Sequence, residues 1–205
     1  MDSYTTIQGQ SSAEIIEKKS RFIADLAPVT TEEEALAFLE SVRTKHRMAK
    51  HHAFAYILRE GARVRSSDDG EPSRTASLPL LDAINHAGLT DVIMVVTRYF
   101  GGTLLGAGGL VRVYTQAALA AIAEAVFVTI SLCVDIDFHL SYSAYNQAQH
   151  LIKLEGAKIV DVEFTDAVRL RLRVLATKQG LIEKLRPLLS GDEAVSISES
   201  YFTAF

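Results

Sequence analysis

The chain has 205 residues, a formal net charge of -4, 48% hydrophobic residues and 22% charged residues. That balance describes a globular chain able to bury a sizeable core. Residues 1–130 hold 13 basic and 15 acidic side chains and residues 131–205 hold 8 and 10, so neither half has the bulk positive charge of a nonspecific nucleic-acid binder, although a local patch is still open. The single Cys133 excludes an internal disulfide and fits a reducing compartment. With no charged-then-apolar leader and no apolar run near 18 residues, a cytoplasmic, soluble protein without a membrane partner is expected.

Residues 12–29 read as extended strands punctuated by Pro28. Thr31 and Glu34 have capping-box spacing. They open a helix through about Arg47, with Leu36, Phe38, Leu39 and Val42 as its apolar face. The basic cluster Arg43, Lys45, Arg47 and Lys50, opposite Glu32, Glu33 and Glu34, reads first as a helix end matched to its dipole. His52–Leu58 and Arg63–Ser66 pair as a hairpin around Glu60-Gly61. After the loop SSDDGEPSRTASLP, a helix is expected over Leu80–Ala87, a fully apolar strand over Val92–Thr97 and a long alanine-rich helix over Gly108–Ala125.

In the second half, Leu132–Phe138 alternates apolar and polar residues, Ser141–Leu154 is an amphipathic helix, and Lys158–Phe164 and Val168–Val174 are strands. A helix over Thr177–Leu189 and a last strand over Val195–Tyr201 complete a βαββαβ order, the ferredoxin-like arrangement. The domain boundary is expected near residues 128–131. Arg169, Arg171 and Arg173 share one face of their strand. In the ferredoxin-like order they are flanked by Asp135, Asp137, Asp161 and Glu163, which points to a neutralised salt-bridge face without stacking aromatics.

The densest signal lies between the apolar strand and the long helix. Five of the chain's twelve glycines, Gly101, Gly102, Gly106, Gly108 and Gly109, fall within nine residues, with Arg98 before them and Arg112 one turn into the helix. There is no Walker Lys-Ser/Thr after the last glycine, and the spacing does not give a dinucleotide fingerprint. Two readings stay open: backbone N–H groups shaped around an anion at the helix N-terminus, or a tight turn plus close helix–sheet packing.

The second cluster is Asp68, Asp69 and Glu71 in SDDGEP. Three carboxylates in four residues repel unless a cation offsets them. They could hold a hydrated Mg²⁺, or form an ordinary surface turn. His51 and His52 point to opposite faces of a strand and have no Cys or His partner at ligand spacing, which argues against structural zinc. No Gly-x-Ser-x-Gly elbow is present.

KKSRFIA at 18–24, HHAFAY at 51–56, SDDGEP at 67–72 and RYFGGTLLGAGGLVRVY at 98–114 resemble the YigZ/IMPACT family, whose most specific signature, Arg-aromatic-aromatic-Gly-Gly-x-x-x-Gly, is complete from Arg98 to Gly106. The resemblance implies an α+β chain of two domains. Residues 1–130 would share the fold of the second domain of a small-subunit ribosomal protein, found also in small-molecule kinases and elongation factor G. Residues 131–205 would be a ferredoxin-like domain similar to the last domain of that factor. It also implies a role near translation. Eukaryotic members are linked to translational control by competing for an activator of a stress-responsive kinase, through regions that include a domain not found in this sequence. For bacterial members the resemblance implies only a presumed role near RNA or the ribosome. Two positions depart from the family pattern: Arg74-Thr75-Ala76-Ser77 stands where members usually read Gly-Thr-Ala-Gly, and Ala53 where they usually have Cys. Arg74 could neutralise Asp68 or Asp69.

These observations give a first expectation and two alternatives. The first is a noncatalytic translation-associated or regulatory protein that binds RNA or the ribosome. Its phosphate contacts would come from Arg98, Gly101, Gly102, Gly106, Gly108, Gly109 and Arg112, with Lys50 and Arg65 beside them. The second is a Mg²⁺-dependent enzyme acting on a phosphorylated small molecule through Asp68, Asp69 and Glu71, which requires the acidic and glycine-rich loops to meet. The third is a protein-binding adaptor in which both motifs only fold the domain.

Overall fold

A computed structural model of the chain describes residues 2–189 and 195–205. The chain divides into a first unit, residues 4–128, and a second unit made of residues 129–205 with Asp2 and Ser3.

The first unit is built on an antiparallel sheet ordered β2 (Ser11–Glu17), β3 (Ser20–Pro28), β6 (Val92–Tyr99), β4 (His51–Leu58), β5 (Arg63–Ser67). The central strand β6 is apolar at nearly every position because both of its faces are covered. One face packs Phe22, Ala24, Ala53, Ala55, Met94 and Val96 against α2 (Ser77–His86) and α3 (Gly106–Ala123). The other packs Phe54, Tyr56, Ile93 and Val95 against α1 (Glu32–Lys45). Thr31 caps α1 by accepting from the Glu34 N–H at 3.2 Å. The return bond of the capping box goes one residue further back, from the Thr30 N–H to the Glu34 carboxylate at 2.7 Å. A first strand, β1 (Ser3–Gln8), is an addition to the elements expected from the sequence.

In the second unit, β7 (Val126–Leu140) is a single long strand where a boundary with little linker was expected. It pairs with β9 (Val168–Leu175), which pairs in turn with β8 (Lys158–Phe164), all antiparallel. On its other side β7 pairs with β10 (Ser196–Ile197) and β11 (Tyr201–Ala204). The third strand therefore lies between the first and second, as the ferredoxin-like order requires. Leu170, Leu172, Val134 and Ile136 pack against α4 (Tyr142–Glu155) and α5 (Leu181–Leu185). The helix expected over Thr177–Leu189 is broken into a 3₁₀ turn at 176–178, the short α5 and a second 3₁₀ turn at 186–188. Gly180 stands at the first break, and Pro187, which has no N–H for the helical ladder, stands in the last turn. The expected last strand is split in two, and its first residue, Val195, follows residues outside the described set.

The arginine stripe is paired on the face expected. Arg173 meets Asp135 at 3.0 Å, Arg171 meets Asp137 at 2.9 Å, and Arg169 bridges Asp137 and Glu163 at 3.3 Å each. No helix among the described residues is long and apolar enough to cross a membrane.

Candidate functional site

The acidic loop and the strand leading into the glycine-rich loop do meet, through Glu71. Arg98 is the next-to-last residue of β6 and shares the face of Phe22, its register partner, so its side chain points into the layer beneath α2 and α3. Its guanidinium gives two short contacts to the Glu71 carboxylate, 2.7 and 2.8 Å, and the Tyr114 hydroxyl donates to the same carboxylate at 2.8 Å. The Arg98 and Glu71 side chains are only 7% and 2% exposed. The rings of Phe22 and Phe100 lie 5.4 and 5.6 Å from the guanidinium carbon. Burial, and then the negative charge of Glu71, hold the Tyr114 hydroxyl well above the usual phenol range, so it stays a donor. Tyr114 is the member of this hub that the sequence reading missed. Its signal was the buried helical stripe Leu110, Tyr114, Ala117 and Ala121, in which it alone has a hydroxyl needing a partner.

Asp68 and Asp69 do different work. The Asp68 carboxylate accepts from three backbone N–H groups, those of Arg74 (2.8 Å), Ala76 (3.0 Å) and Ser77 (2.8 Å). It thereby caps α2 from eight residues upstream, where the helix has no side-chain cap of its own. Arg74 adopts φ +62° to turn its N–H toward Asp68. That backbone conformation suits glycine. The contact Arg74 makes with Asp68 is this backbone hydrogen bond, which is not the charge neutralisation expected of its guanidinium. Asp69 accepts from the His52 N–H at 2.7 Å and lies 3.4 Å from Arg43, while its carbonyl meets His51 Nδ1 at 2.9 Å. The three carboxylates therefore serve three separate anchors. Among the described residues no group of three His, Cys, Asp or Glu side chains is arranged to hold a metal ion.

Partial burial alone would raise the Asp68 pKa, but the Ser77, Arg74 and Ala76 N–H groups outweigh it and hold the carboxyl below its ordinary value. A carboxyl whose pKa is depressed in the folded state adds stability above its unfolded pKa and loses it as pH falls through the folded one. Asp68→Ala should therefore cost about 0.5–2 kcal/mol at neutral pH. The gap between wild type and variant should close below about pH 4. Urea unfolding across pH 2–7 measures this, and a gap independent of pH would remove the charged cap from the account.

The glycine-rich loop splits into two kinds of position. At Gly101 an added Cβ would overlap the Lys19 carbonyl group and the Ser20 nitrogen, and the Gly101 N–H donates to Ser20 Oγ at 3.0 Å. This glycine is there for close packing. At Gly102, Gly106 and Gly108 an added Cβ would meet nothing within 4 Å, and at Gly109 it would meet only Leu105 Cβ. Gly102 and Gly106 have φ +86° and +71°. Residues 106–108 are exposed and α3 has no side-chain cap. Of the expected phosphate contacts, Arg98 is committed inside the unit. Arg112 pairs with Glu17 at 2.9 Å and Arg65 with Glu32 at 2.9 Å, both at the surface. Lys50 is exposed.

The Impact N-terminal domain family matches residues 18–122, which contain the acidic loop, Arg98, Tyr114 and the glycine-rich loop. The chain belongs to the IMPACT family. A domain of unknown function (DUF1949) matches residues 138–192 within the second unit. The Bacillus subtilis IMPACT family member YvyE is 44% identical over 115 residues, covering 56% of this chain and 53% of its own, so the match spans about half of that relative's length. An IMPACT family member of Thermus thermophilus is 40% identical over 157 residues, 77% of this chain and 85% of the relative. A crystal structure of a hypothetical protein superposes with a TM-score of 0.64 at 30% identity, covering 96% of this chain and 97% of that one.

Proposed function

We propose that this IMPACT family member is a noncatalytic, translation-associated protein whose first unit docks RNA phosphates at the exposed N-terminus of α3. The observation that carries the reading is the contrast within the glycine-rich loop. Packing demands Gly101, whereas Gly102, Gly106 and Gly108 border open space, at the end of a helix whose first N–H groups lack a side-chain cap. Backbone N–H groups there, with the positive end of the helix dipole, suit an anion. Exposed cations include Lys18 and Lys19 in the turn that Gly101 packs against, Lys50, and Arg112 and Arg65, which are partly engaged with Glu17 and Glu32. A modest, salt-sensitive affinity is therefore expected, with few counterions released per complex. The link of eukaryotic members to translational control supports the association with translation and does not bear on the RNA contact itself. Arg98 has no part in the contact, because its charge is already spent on Glu71.

The test is sedimentation of the tagged protein from lysate through sucrose gradients at low and moderate salt, with and without nuclease. Co-migration with ribosomal particles at low salt, lost on raising salt, is the expected result. Gly108→Asp should abolish it while leaving the fold intact, since a carboxylate in the first helical turn favours the helix and repels phosphate. A protein that stays at the top of every gradient, or a Gly108→Asp variant that co-migrates as well as wild type, would overturn the reading.

A further inference from the structure

Phe100, the residue that follows β6, leaves its ring in solvent at 55% exposure, and Leu104 in the same loop is 82% exposed. The Arg98 guanidinium carbon stands 5.6 Å from the Phe100 ring centroid, and that guanidinium is itself anchored on Glu71. A fixed cation beside an aromatic ring favours one orientation of it. A single exposed phenylalanine is ordinary on a protein surface. The charges beside this one set it apart.

Gly101, the next residue, packs directly on the Lys19 carbonyl and the Ser20 nitrogen, which brings the β2–β3 turn alongside the loop. Lys18 and Lys19 form that turn at φ +45° and +66°, and both are exposed. Neither makes an ion pair among the described residues. The carboxylates nearest in the chain are already engaged, Glu17 by Arg112 at 2.9 Å and Glu14 by Arg21 at 2.7 Å. The turn therefore presents two uncompensated positive charges next to an exposed ring. A polyanion that carries flat apolar groups fits both features, and single-stranded RNA is one. A duplex keeps its bases stacked on one another and would offer the ring only its backbone. An anionic lipid surface is the rival, but two lysines and one ring are few for stable anchoring.

We propose that Phe100 is a stacking platform for a base of single-stranded RNA, with Lys18 and Lys19 on the flanking phosphates. The inference rests on the RNA contact proposed at the start of α3 and names the kind of RNA that it takes.

The experiment is fluorescence anisotropy of the full chain at low salt with a short labelled single-stranded RNA of mixed sequence and with the same strand annealed to its complement. Flotation with phosphatidylglycerol vesicles runs beside it, and thermal unfolding checks that each variant folds. Wild type should bind the single strand about tenfold tighter than the duplex. Phe100→Ala should lose about tenfold on the single strand, and Phe100→Tyr, which keeps a stacking ring, should bind as wild type does. Lys18→Ala combined with Lys19→Ala should flatten the salt slope of single-strand binding by roughly 1.4 units, and an unchanged slope would overturn the lysine contacts. Equal affinity for single strand and duplex, or a folded Phe100→Ala variant that binds as wild type does, would overturn the stacking. The phosphate contact would then still stand if Gly108→Asp abolished binding. Binding to neither RNA would overturn both. Vesicle binding that Phe100→Ala abolishes while RNA binding is unchanged would assign the loop to a membrane surface and overturn the stacking as well.

Discussion

Replacing Arg98 with alanine should cost the first unit about 3–5 kcal/mol, because it strands the buried Glu71 carboxylate without its counterion. The contacts at 2.7 and 2.8 Å and the near-complete burial of both side chains put this pair in the class where losing one partner is severe. Glu71→Gln should be nearly as damaging, since it leaves the guanidinium charge in an apolar layer lined by Phe22 and Phe100. The informative comparison is the triple variant Arg98→Met, Glu71→Met, Tyr114→Phe. It removes every polar group of the hub together and should recover more than half of the loss, as isosteric apolar replacements of buried ion pairs do. Urea midpoints at unchanged slope measure all three. A loss below about 1 kcal/mol for Arg98→Ala would mean that the pair is solvated in solution. The result also guards the functional test: an Arg98 variant that no longer binds RNA would report an opened domain and say nothing of phosphate contacts.

Gly101→Ala is the second large effect. Its methyl group would have to enter the space held by the Lys19 carbonyl and the Ser20 nitrogen, both backbone atoms at the β2–β3 turn. Either the turn moves or the glycine-rich loop does, and the Gly101 N–H loses Ser20 Oγ in both cases. A loss of at least about 3 kcal/mol is expected, in the range of severe overpacking. Gly108→Ala is the matched control. It meets open space in the first turn of α3 and should raise stability by up to about 1 kcal/mol through helix propensity. Thermal denaturation of the two variants side by side decides the matter. Equal effects would mean that the loop packs differently from the geometry described.

These contrasts show what one-dimensional patterning carries. The second unit was legible because its strands alternate. Asp135, Asp137, Arg169, Arg171 and Arg173 each occupy every second position, so strand order and the paired face followed together. The strand β6 offered no such clue. Residues 92–96 are apolar on both faces, and nothing in that run says whether Arg98 turns toward helices or solvent. A surface role for Arg98 was the natural reading of a cation beside glycines, and tertiary burial reversed it. Asp68 was hidden for a different reason. Local rules place a cap immediately before its helix, whereas here the capping carboxylate arrives from across a loop and the residue before α2 is Ala76.

The loop that reads as the most pliable part of the chain is, in the folded protein, riveted. Its Asp-Gly and Pro residues would ordinarily mark a site for proteolytic nicking. Asp68 fastens it to the start of α2, Asp69 to the start of β4, and Glu71 to the end of β6 and the middle of α3. Cleavage within it, and exchange of the amides that Asp68 holds, must therefore wait for these fastenings to release. A segment that looks like a hinge thus behaves as part of the frame.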